Sequence, residues 1–107
     1  MTATQYPLFP GITGPSEWLG APGLRVTWSV RLEGVHTWPG RFGMTHCYRF
    51  CDSDGNAIVW KSCRGCANLG AAGQHVVLTG TVKAHNIWKG IRETVLTRCV
   101  VKVVEYT

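Results

Sequence analysis

Trp38 and Trp88 stand where packing gives a chain no reason to put them. Each is followed closely by a turn-forming glycine and a cation, in Trp38-Pro39-Gly40-Arg41 and in Trp88-Lys89-Gly90. Exposing an indole forfeits a large hydrophobic gain, so each ring either folds back onto the protein or waits for a flat apolar ligand. A flat ring beside positive charge is the chemistry that holds single-stranded nucleic acid. Bases stack on the ring, at ~1–3 kcal/mol each, and cations follow the phosphates. The stacking candidates are Trp38 and Trp88, joined by Trp60 or Tyr48 if a hairpin register slips by one. The phosphate candidates are Arg31, Arg41, Arg49, Lys61, Lys83, Lys89, Arg92 and Arg98. The plainer alternatives are loop indoles that cap the ends of a sheet and cations that form a solvated face. His75 and His85 are read as solvated histidines on an outward strand face.

The cysteines offer a second chemistry. Cys63-Arg64-Gly65-Cys66 has the spacing of half a zinc knuckle. Cys47 and Cys51 do not supply the other half, because four residues of strand separate them by about 13 Å. A set drawn from Cys47, Cys63 and Cys66 with His46 is conceivable, but His46 and Cys47 point to opposite faces of a strand. The cysteines are therefore read mainly as small buried hydrophobes, with no cofactor or metal expected. The acids are Glu17, Glu33, Asp52, Asp54, Glu93 and Glu105. Asp52 and Asp54 are the close pair, and turn geometry explains both. With no nucleophile–base pairing, P-loop or dinucleotide fingerprint, no enzyme is expected.

Composition bounds the setting. A chain of 107 residues, 45% hydrophobic, is one domain with a real core. No apolar run reaches spanning length and no signal pattern opens the chain, so a soluble cytoplasmic protein is expected. The odd cysteine count, five, agrees with reduced thiols. The net charge of +5 suits a polyanionic partner, though it also lies within the ordinary range for solubility. Thirteen glycines and five prolines, with many β-branched residues, favour an all-β fold.

The elements that must carry these side chains read as five strands. Residues 1–17 form an irregular arm, with Tyr6, Leu8 and Phe9 able to pack on the domain, and residues 18–107 form the domain. Residues 18–23 are a lead-in turn. In residues 24–33, Val26, Trp28, Val30 and Leu32 share the inward face. Residues 34–43 read as a loop. Residues 44–52 and 56–62 are strands joined by Asp52-Ser53-Asp54-Gly55-Asn56, a strong hairpin signal. A three-residue loop there sets Phe50 opposite Ile58 and Tyr48 opposite Trp60, facing the core, with Cys47, Arg49, Val59 and Lys61 outward. A one-residue slip would exchange the roles on one strand. Residues 63–74 are a connection with room for one helical turn over 67–72. Residues 76–85 alternate as a fourth strand, 86–90 read as a loop, and 94–104 form a fifth strand.

Five strands with a break after the third match an oligonucleotide-binding barrel, the OB-fold. There the ligand lies across strands two and three, between the loops joining strands one to two and four to five. Those two loops hold Trp38 and Trp88 here. The runs Phe42-Gly43-Met44-Thr45-His46, Asp52-Ser53-Asp54-Gly55-Asn56, Trp60, Leu78-Thr79-Gly80-Thr81-Val82-Lys83-Ala84-His85 and Thr94-Val95-Leu96-Thr97-Arg98-Cys99 resemble small phage-encoded OB-fold proteins of the single-stranded-DNA-binding type. The likeness spans roughly residues 18–104. It implies a non-catalytic binder of single-stranded DNA or RNA, working beside phage or bacterial replication or recombination proteins. The cysteine set lies outside that resemblance. An adaptor that uses a basic barrel to bind an acidic protein is the other expectation, since fold does not fix function.

Overall fold

The computed structural model describes residues 16–41, 43–63, 69 and 72–104. They form five strands: β1 Arg25–Gly40, β2 Gly43–Cys51, β3 Ala57–Ser62, β4 His75–Trp88 and β5 Ile91–Val103. The strands close into one barrel in the order β1-β2-β3-β5-β4, with β4 returning to β1. All pairings are antiparallel except that of β3 with β5. No helix among the described residues is long and apolar enough to cross a membrane. The arm over residues 1–15 and most of the helical turn expected over 67–72 lie outside the described residues.

The β2–β3 hairpin has the register its turn dictates. Phe50 pairs with Ile58 and Tyr48 with Trp60. The Gly55 N–H donates to the Asp52 carbonyl at 3.1 Å, and Gly55 takes φ +84°. This is a type I turn closed by a left-handed residue, the usual three-residue hairpin loop. The Asp52 carboxylate accepts from the backbone N–H of Asp54 and of Asn56, each at 2.9 Å, and from the Asn56 side chain. Asn56 in turn accepts the Glu17 N–H at 2.8 Å, and the Ser16 hydroxyl bridges Ala57 N–H and the Arg92 carbonyl. The domain is therefore tied from Ser16 onward.

The inward faces of β1, β2, β3 and β4 meet as their alternation requires. Leu32, Phe50, Ile58 and Leu78 are fully buried, with Leu96 of β5 beside them. Each such side chain contributes about 1.5–3 kcal/mol by leaving water. Trp28 packs against this core half-buried.

Both presumed Trp loops are corrected to strands. Residues 34–43 are not a loop: β1 runs on to Gly40, which pairs with Gly43 at the start of β2. The alternation read through Leu32 breaks because the register shifts between Leu32 and Gly34, where Glu33 is bulged out. Past that bulge Val35 faces inward, opposite Tyr48, and Trp38 faces outward, opposite Thr45. Pro39 is tolerated because β1 pairs with β4 only through Arg31, so its far end is an edge. Likewise residues 86–90 are mostly strand. Trp88 pairs with Ile91, and the turn is Lys89–Gly90 alone. Their φ values, +50° and +80°, make it a type I′ turn, the two-residue connection that matches strand twist.

Candidate functional site

The outer face of β2 and β3 is a floor rather than a solvated surface. Cys47, Arg49, Cys51, Ala57 and Val59 all point outward by register, yet each is less than 9% exposed. Lys61, opposite Cys47, is the exposed member of that face. The β1–β2 hairpin rises on one side with Trp38 on its outer face. The β4–β5 hairpin bends over the other side, bringing the Trp88 ring centroid within 4.4 Å of the Arg49 Cζ. Trp38 is 40% exposed and Trp88 42%, so neither indole is tucked into the core. Thr45, which faces Trp38, and Arg49, beneath Trp88, are four residues apart on β2, about 13 Å.

Two ion pairs lie in the floor. Arg49 Nη2 meets Glu93 Oε2 at 2.8 Å, with both side chains buried. The other Glu93 oxygen accepts the Asn86 amide at 2.9 Å. Glu93 reaches Arg49 because parallel pairing places Ala57 beside Glu93 and Val59 beside Val95. At the far end, Glu33 Oε1 accepts from Arg31 at 3.0 Å and from the Cys51 thiol at 2.6 Å. Burial first, then the neighbouring Glu33 carboxylate, push the Cys51 thiol up to about 12. Burial also raises Cys47 and lifts Cys99 to about 12. At neutral pH these three are protonated, weakly polar groups. Cys63 is exposed and Cys66 lies outside the described residues. No group of three metal-ligating side chains occurs among the described residues.

The expected site residues divide accordingly. Trp38 and Arg41 stand on one rim, Trp88 and Lys89 on the other, with Lys61 on the face between the hairpins. Arg49 is in the floor and Arg31 at its end, each matched by a carboxylate. Trp60 is on the core side, stacked on Tyr48 at 5.2 Å, because the hairpin register does not slip. Arg92 belongs to a different cluster, paired with Glu17 at 2.8 Å and lying over Trp18. Trp18 is itself stacked on His85, at 5.4 Å, and donates from its indole N–H to the Asn86 carbonyl. Arg98 sits past the last β3–β5 pair with φ +54°, and Lys83 is exposed on β4.

Glu93, Asn86, Glu33 and Val59 were not singled out as site residues by sequence reasoning. A lone acid amid β-branched residues carries no local sign that it will meet an arginine two strands away. One signal was present but unread. The two-residue turn Lys89–Gly90 holds lysine where glycine, asparagine or aspartate is the usual occupant. A left-handed conformation costs an ordinary residue about 1–2 kcal/mol, and such strain gathers at functional sites. The Lys89 Nζ lies 4.7 Å from the Trp88 ring centroid, so the strained residue carries its charge beside the exposed indole. Lys89→Asn is therefore expected to raise thermal stability. A thermal melt of the variant beside the native chain checks the sign.

No family model matches this chain, and no curated protein and no solved structure matches it either.

Proposed function

We propose that this protein is a non-catalytic binder of single-stranded nucleic acid, with single-stranded DNA as its preferred ligand, built on an OB-type barrel. One observation carries the reading. Two half-exposed indoles, on different hairpins, stand on the same outer face and flank the β2–β3 floor. The strand order and the position of the two hairpins agree with the way an OB barrel grips an oligonucleotide, across strands two and three. The floor between the rims is apolar or internally neutralised and nearly closed to solvent, so bases would meet the two exposed rings rather than the floor itself. The exposed cations Lys61 and Lys89 lie at its margins, which suits phosphates. The DNA preference and a place in phage or bacterial replication or recombination rest on the resemblance of the sequence runs quoted above, and the cytoplasmic setting rests on the odd count of five cysteines.

Titration with oligo-dT while tryptophan emission is followed tests the proposal. Stacking on Trp38 and Trp88 should quench the emission. Added salt should weaken the effect, since each neutralised phosphate contributes about 0.7 to the slope of log K against log salt for a single strand. An unchanged emission at low salt removes the proposal. Parallel titrations with oligo-rU and with duplex DNA set the preference.

A further inference from the structure

We infer that Arg49 is not a phosphate contact but the positioning residue beneath Trp88, so that this part of the groove takes a base and turns the phosphates outward. The inference rests on the nucleic-acid reading above and deepens it. The Arg49 guanidinium lies 4.4 Å from the Trp88 ring centroid and is fixed by Glu93 at 2.8 Å. Asn86 holds the second Glu93 oxygen at 2.9 Å and stands two residues before Trp88 on the same strand face. The indole is thus placed by a chain of three contacts that returns to its own strand.

Charge and burial both speak against a phosphate at Arg49. Arg49 is 7% exposed and Glu93 3%. A phosphate reaching Arg49 would have to displace the carboxylate or be buried beside it, and an uncompensated buried charge is strongly unfavourable. The guanidinium is already used in the two ways that suit it, as a partner for a carboxylate and as a plane against an aromatic ring. A ring held in advance also loses less freedom when a base stacks on it, which improves binding without adding any contact to the ligand. The cations left for phosphates are those at the margins, Lys61 and Lys89 among them.

The test compares the salt dependence of oligo-dT binding in four proteins: the native chain, Arg49→Met/Glu93→Gln, Arg49→Lys and Lys61→Ala. The double variant removes both charges together, so no unpaired ion is left buried. Arg49→Lys keeps the charge for Glu93 and loses the planar guanidinium. Both Arg49 variants should bind about tenfold more weakly, the loss of a good part of one stack, with the native slope of log K against log salt. Lys61→Ala should lower that slope by about 0.7. A comparable drop in slope for the double variant makes Arg49 a phosphate contact and overturns the inference. Native affinity in both Arg49 variants overturns it too. A ligand-free readout separates this from failure of the binding reading itself. The indole N–H resonance of Trp88 should shift and broaden in Arg49→Lys while those of Trp28 and Trp60 stay put. An unchanged Trp88 resonance refutes the pedestal whether or not the native chain binds oligo-dT.

Discussion

Glu93→Ala should cost this fold about 3–5 kcal/mol, the penalty for leaving one member of a buried ion pair without its partner. The loss is a large fraction of the roughly 5–15 kcal/mol that holds a domain together. Arg49 would remain at 7% exposure with its counter-charge gone, and Asn86 would lose its acceptor. Urea melts at neutral pH measure the effect, as a lower midpoint with the slope preserved. Arg49→Met/Glu93→Gln should fall far less, because replacing both ions by groups of similar size is often neutral. If Glu93→Ala melts like the native chain, the Arg49–Glu93 pair does not anchor the floor.

Removing both rim indoles, by Trp38→Ala and Trp88→Ala together, should weaken binding of single-stranded DNA by about 2–6 kcal/mol, thirty-fold at the least. The β2 residues the two indoles lie against, Thr45 and Arg49, are about 13 Å apart, and sites that far apart combine nearly additively. The single variants should each account for about half. Stability should change little, because both rings are 40% or more exposed and neither fills the core. Parallel melts distinguish lost stacking from lost folding. Affinity that survives in the double variant would place the nucleic acid on another surface.

What could be read from the chain and what could not follows from the range of the interactions. The pairing of Phe50 with Ile58 was legible because five residues, from Asp52 to Asn56, fix the turn and hence the register. The inward faces of Val26 to Leu32 and Val76 to Val82 were legible because alternation is a local pattern. The ends of both long hairpins were not. Register shifts at Leu32/Gly34, Thr79/Thr81 and Val82/Ala84 interrupt the alternation, so residues that look aperiodic are still strand. The burial of Arg49 depends on the parallel pairing of β3 with β5, which no short stretch encodes. The two indoles stand out in the sequence, but no local pattern marks Arg49 as buried against one of them.

The same division explains the thiols. Cys47 and Cys51 share one outward face as their spacing requires, yet both are buried, Cys51 with Ala57 and Ile91 packed around it. Their burial is a by-product of the floor on which Val59 and Arg49 also lie.

The most direct measurement is a two-dimensional NMR titration of the five tryptophan indole N–H groups with oligo-dT at low salt. The resonances of Trp38 and Trp88 should move together and saturate at one stoichiometry, while Trp28 and Trp60, on the core side, stay fixed. Movement confined to Trp28, Trp60 or Trp18, or no movement at all, would contradict a groove lying between the two hairpins.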